Sequence, residues 1–200
     1  SGLPGNCRSC GPGGLDECVA RPDVAAVWKL RMTEGKPVPM KSPPRLELRR
    51  PDVHRFAEEA DILAALFSVA RRDAMPWLRV VHSDEETRKW MRGQVLPQQS
   101  VWVAALRHEI VGFAARDGAW LTHLYVKSGW TRHGIGQQLL DAVIAEAKSR
   151  TPVLRVATFQ RNTGARRFYE RNGFVAARLG DGKGNEEGEP DVVYERALKR

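Results

Sequence analysis

Cysteine is nearly absent from this chain. Only Cys7, Cys10 and Cys18 occur among its 200 residues, and all three lie at the start. The rest of the sequence therefore has no disulfide framework, which fits a reducing cytoplasm. It also offers no thiol nucleophile for a covalent mechanism. The pair Cys7-x-x-Cys10 lacks a fourth cysteine or a nearby histidine to complete a zinc set, so no metal is expected. No run approaches the roughly 18 apolar residues of a membrane span. Nothing near the N-terminus has the charged, apolar, small-residue order of a signal peptide. The net charge of +8 permits nucleic-acid contact. Lys and Arg are scattered, however, with no basic stripe interleaved with aromatics, so no dedicated nucleic-acid role is expected. No internal repeat is visible.

What is present divides in two. Residues 1–44 are rich in Gly and Pro and end in KPVPMKSPP. They read as a mostly disordered extension, with one short helix expected near residues 24–32. Met40 opens MKSPPRLELRRP, a sensible start for the folded part, so residues 1–40 are expected to be dispensable for folding. Residues 45–200 read as one domain, and the apolar share of 42% is ordinary for a globular protein.

Within that domain the elements alternate. Strands are expected at residues 46–49, 101–106, 110–115, 120–126 and 153–159, from residue 174, and at 192–197. Apolar spacing predicts helices at 56–72, after Ser83-Asp84-Glu85-Glu86, from Ile135 and at 163–171. Asp117-Gly118 and Asn172-Gly173 read as turns. Strands meet first as hairpins and later through helices. This predicts an α/β (α+β) fold with a mixed, mostly antiparallel twisted sheet and helices on both faces.

Two stretches carry chemistry. In LYVKSGWTRHGIGQQLL, residues 124–140, a strand runs into a Gly-rich turn and then a helix. Gly134 and Gly136 fall at the helix N-terminus, where unpartnered backbone N–H groups and the helix dipole favour an anion. No Lys-Ser or Lys-Thr follows the second glycine, which excludes a Walker loop, and the spacing is wrong for a dinucleotide fingerprint. In RNTGARRFYERNGF, residues 161–174, Asn162 precedes a short helix that carries Tyr169. Asn162 is either a helix cap or a ligand contact. Tyr169 is either a core aromatic or a wall of the site.

Together these stretches resemble the GNAT superfamily of acyl-CoA-dependent N-acyltransferases. Its signature of Gln or Arg, two residues, Gly, one residue, and Gly or Ala is matched at Gly134 and Gly136. Thr131 departs from it at the first place. The later pattern is matched by Asn162, Ala165, Phe168, Tyr169, Gly173 and Phe174. The resemblance implies that acetyl-CoA is the acyl donor, and it implies no metal. It places the pyrophosphate on the amides of Arg132, His133, Gly134, Ile135, Gly136 and Gln137, with Thr131 beside them. Leu124 and Val126 would offer backbone groups to the pantetheine arm, with Asn162 and Ala165 on the other side. Tyr169 would protonate the departing thiolate.

The acceptor side is less defined. His123 is either a core or surface histidine or the general base. Glu58, Glu59 and Asp61 are either helix-start acids or acceptor contacts. The loop at residues 181–191 clusters Glu186, Glu187 and Asp191, as a solvated connection or as an anionic lip for a cationic amine. Five tryptophans, Trp77, Trp90, Trp102, Trp120 and Trp130, are either core or pocket. The expected reaction is direct acetyl transfer to a primary amine, a small cationic molecule first and a protein or peptide amine second. A non-catalytic acyl-CoA sensor is the reading from another class. The protein is expected to act as a monomer or homodimer.

Overall fold

The structure is a computed structural model that describes residues 45–199. The readings made above for residues 1–44 lie outside the described residues. Strand β1 (Leu46–Arg49) is followed by α1 (Phe56–Ala74), which ends before Met75-Pro76. Helix α2 (Asp84–Trp90) opens with a capping box, in which Ser83 and Glu86 satisfy each other's backbone N–H. It runs on through a π-helical turn, Met91–Val95, that sequence periodicity does not reveal. Then come β2 (Ser100–Leu106), β3 (Glu109–Asp117), β4 (Trp120–Val126) and α3 (Ile135–Ala147). The chain continues through β5 (Val153–Phe159), α4 (Thr163–Arg171), β6 (Val175–Leu179) and β7 (Asp191–Ala197).

The strands form one sheet in the order β1-β2-β3-β4-β5-β7-β6. Only β4 and β5 run parallel, and they pair only at Trp120 and Arg155. A bond from Arg155 N–H to the Ala119 carbonyl, at 2.8 Å, fastens that end. Beyond it the two strands have no further paired positions. Lys127 N–H donates to the Val111 carbonyl at 2.9 Å, and Tyr125 lies opposite Phe113 in the β3–β4 register. Antiparallel alternation then turns the N–H and C=O of Leu124 and Val126 away from β3, into the gap.

Each face of the sheet is covered. One cluster joins α3 and α4 to β4, β5 and β7 through Ile135, Leu139, Leu140, Tyr169 and Tyr194. The other packs α1 and α2 on the opposite face through Leu63, Met91, Val103 and Phe113. Gly112 lets α3 approach closely. A Cβ there would lie 3.0 Å from the Tyr125 carbonyl oxygen and 3.2 Å from Leu139.

One buried and one half-buried carboxylate hold elements together. Glu59 is 1% exposed. It accepts from Arg49, at 2.6 Å for its shorter bond, and from Asp52 N–H at 2.9 Å. Glu146 on α3 accepts from Arg50 at 2.7 Å, Ser100 at 2.8 Å, Arg116 at 2.9 Å and Trp102 Nε1 at 3.1 Å. Burial opposes the Glu146 charge, but these four donors outweigh it and pull the carboxyl down to about 2.

Candidate functional site

An open cleft of about 1880 Å³ runs along the gap between β4 and β5. Its floor is the β4–α3 connection. Ser128–Trp130 makes a single turn, and Thr131 Oγ1 donates to the Ser128 carbonyl at 3.0 Å. The His133 ring folds back onto the Thr131 carbonyl at 2.8 Å and packs edge-on to Trp130. Arg132 and Gly134 take positive φ, 66° and 78°. These reversals present the start of α3 to the cleft. Among the described residues, the amides of Gly134, Ile135, Gly136 and Gln137 have no acceptor. That is the ordinary state of a helix N-terminus, here facing open space. A Cβ on Gly136 would meet nothing closer than Val126 at 3.8 Å. Thr131, Arg132, Gly134, Gly136, Gln137, Leu124 and Val126 line the cleft. His133 does not, and the Ile135 side chain is core.

The opposite wall is α4. Asn162 is the cap, its side-chain oxygen accepting Ala165 N–H at 3.1 Å. Tyr169 is 6% exposed, and its ring packs against Phe168, Phe174 and Tyr194. Its hydroxyl has no hydrogen-bond partner among the described residues. Burial raises its pKa, with the neighbouring Tyr125 adding to the effect, so it stays protonated. Tyr169 is thus a core ring that also lines the cleft.

The acceptor end lies across β4. His123 sits among Phe67, Trp90, Phe113 and Tyr125, with its ring centroid 5.1 Å from that of Trp90. Its Nε2 is buried without a partner. Desolvation, then the charge of Arg71, lowers its pKa to about 4. It is therefore neutral at neutral pH. Arg71, on α1, lies over the Phe67 ring at 5.6 Å, beside Tyr125, and pairs with Glu187. Neither Arg71 nor Tyr125 stands out in the sequence, although Tyr125 follows from His123 by strand alternation.

The acidic loop does reach the cleft, but its carboxylates are engaged. Glu187 holds Arg71, and Glu186 holds His82 at 2.6 Å. Asp191 receives Asn185 Nδ2 at 3.4 Å. Of the three, only Glu187 is paired with a permanent cation. Glu58, Glu59 and Asp61 serve elsewhere, with Arg55, Arg49 and Arg92, and none lines the cleft. Trp77 and Trp90 line it, whereas Trp102 binds Glu146 behind the sheet and Trp120 lies at the closed end of the gap. The described residues contain no group of three or more His, Cys, Asp or Glu able to hold a metal. They also contain no helix long and apolar enough to cross a membrane.

Residues 97–176, which contain the β4–α3 seat and α4, match the family model described as acetyltransferase (GNAT) domain. The match covers the segment that builds the cleft, and the chain is similar to GNAT acetyltransferases there. No curated protein matches it significantly. Solved structures share the GNAT fold at low identity. The GCN5-related N-acetyltransferase of Rhodopseudomonas palustris is 22% identical with a TM-score of 0.60, covering 78% of this chain and 97% of its own. The PaiA N-acetyltransferase of Thermoplasma acidophilum, solved with coenzyme A, is 18% identical with a TM-score of 0.58, covering 76% and 99%. YncA of Salmonella typhimurium, solved with its cofactor acetyl-CoA, gives 18% and 0.58, covering 78% and 95%.

Proposed function

We propose that this protein transfers an acetyl group from acetyl-CoA to a primary amine by direct attack, with both substrates bound together. The observation that carries the reading is the gap between β4 and β5 beside four free amides at the start of α3. The two features suit the two ends of one ligand. The amides of Gly134 to Gln137 would hold a pyrophosphate, as helix N-termini do. The outward N–H and C=O groups of Leu124 and Val126 would pair with the amides of the pantetheine arm, which lies along them like a strand. The CoA-bound and acetyl-CoA-bound neighbours of the same fold support this placement.

When bound, acetyl-CoA supplies an acetyl group already activated as a thioester. The chain's own residues do the rest. A β4 backbone N–H near Val126 donates to the carbonyl oxygen as negative charge gathers there. The neutral amine forms the C–N bond as the C–S bond breaks. Tyr169 donates its hydroxyl proton to the leaving sulfur, and the proton lost by the amine restores the balance. The apolar surroundings that raise the pKa of Tyr169 raise that of the departing thiol as well, so the transfer remains matched. His123, neutral and unpartnered, would orient the amine rather than remove its proton. Loss of that proton to water is the simplest route.

The test is a thiol-release assay with acetyl-CoA and a panel of amines and peptides, beside calorimetry of CoA binding. Amine-dependent thiol release supports the reading. CoA binding without release for any amine favours the non-catalytic sensor, and absence of CoA binding refutes both.

A further inference from the structure

The acceptor end of the cleft carries charges of both signs, and two of its guanidinium groups have no carboxylate partner among the described residues. The carboxylates there are engaged: Glu187 by Arg71, Glu186 by His82, and Asp84 by Arg72 at 3.7 Å. Glu86 is closed into the Ser83 capping box, and Asp191 is held by Asn185. Two exposed guanidinium groups on the same walls have no carboxylate among the described residues. Arg79 reaches only the Glu186 backbone carbonyl, at 3.1 Å. Arg161 lies over the Trp77 ring, 4.8 Å from its centroid. Trp77 in turn packs edge-on to Phe159 at 6.0 Å. The wall is therefore an aromatic surface with two unmatched cations beside it.

We propose that the acceptor is a zwitterion, a primary amine that also carries a carboxylate on an apolar or aromatic body, which is the chemistry of an apolar α-amino acid. This rests on the acetyl transfer proposed above. A guanidinium offers a planar fork that fits a carboxylate with two parallel bonds. Stacking on Trp77 already restrains Arg161, so less side-chain freedom is lost on binding. The rings of Trp77 and Phe159 take the apolar body. The amine end then points toward the neutral His123, which does not repel it.

Matched pairs of ligands test this: phenylalanine against phenethylamine, and leucine against isopentylamine. Each is titrated calorimetrically into CoA-saturated protein and assayed for thiol release with acetyl-CoA. The carboxylate-bearing member is expected to bind about ten- to a hundredfold tighter, the range of a charge-assisted hydrogen-bonded pair. The preference should shrink as salt rises. Arg161→Ala and Arg79→Ala should each reduce it toward one, through KM rather than kcat, and Arg161→Lys should keep part of it. Equal or tighter binding of the decarboxylated member overturns the proposal, as does failure of either amino acid to bind protein that binds CoA. Protein that binds no CoA overturns the transfer reading instead.

Discussion

Replacing Tyr169 by Phe separates a catalytic hydroxyl from a packing ring. The ring is buried against Phe168, Phe174 and Tyr194, and Phe keeps all three contacts. The hydroxyl has no partner among the described residues, so the fold loses no hydrogen bond with it. Removing an unpaired polar atom from an apolar site is close to neutral, within about 0.5 kcal/mol. The melting temperature should therefore move by no more than about 2 °C. CoA affinity should stay within about threefold, because the donor rests mainly on backbone groups. Turnover is different. Loss of a positioned acid costs roughly a hundredfold or more in kcat, or about 2.7 kcal/mol of barrier. The pH dependence follows from the raised pKa of Tyr169. Activity should rise as the acceptor amine loses its proton and should not fall as pH approaches 10, where an ordinary tyrosine ionises. The measurements are kcat by thiol release, Kd by calorimetry and Tm by scanning fluorimetry on the same preparations. A variant with wild-type kcat, or one that loses turnover and CoA affinity in equal measure, would refute Tyr169 as the acid.

Three further outcomes are expected. Gly136→Asp has room for its Cβ and should keep its Tm, yet lose about tenfold or more in CoA affinity because a carboxylate faces the anion seat; unchanged calorimetric affinity would place the pyrophosphate elsewhere. Glu146→Gln leaves Arg116, 5% exposed, without its anion and should cost about 2 kcal/mol, discounted because Arg50 is solvent-accessible. The folded pKa of about 2 lies below the unfolded value of 4.5, so this stabilisation is present above pH 4.5 and is lost as pH falls toward 2. Denaturation of both proteins across that range should show the gap closing, and a gap independent of pH would contradict the assignment. Glu187→Gln removes the anion that ties the loop to Arg71, so trypsin should cut at Lys183 severalfold faster with the domain's Tm nearly unchanged; equal cutting would show that the pair does not hold the loop.

Local signals made most elements legible. Ser83 and Glu86 announce a capping box, Gly118 and Gly173 mark turns, and the apolar spacing from Ile135 gives α3 its buried face. The glycines of the seat and Tyr169 were legible because their spacing lies within single elements. What escaped depends on contacts far apart in sequence. Glu59 reads as a helix-start acid, and only the fold brings Arg49 to it. Nothing near Glu187 names Arg71 as its partner. The insertion of β7 between β5 and β6 has no local cue. The π-helical turn at Met91–Val95 escapes too, since one extra residue barely shifts a short apolar pattern.

The open end of the β4–β5 gap bears on how long the protein survives. The sheet is two half-sheets, joined at Trp120 and Arg155 and by the core beneath α3. At the open end, backbone groups that would be locked in a continuous sheet are left to water, and their amides should exchange early with deuterium. In the placement proposed above, a donor in the gap would act as an added strand and join the halves into one cooperative unit. Donor at a hundred times its Kd would add about 2.7 kcal/mol to stability. Resistance to unfolding and proteolysis would then follow the concentration of the acetyl donor, and the protein would last longest where its substrate is plentiful.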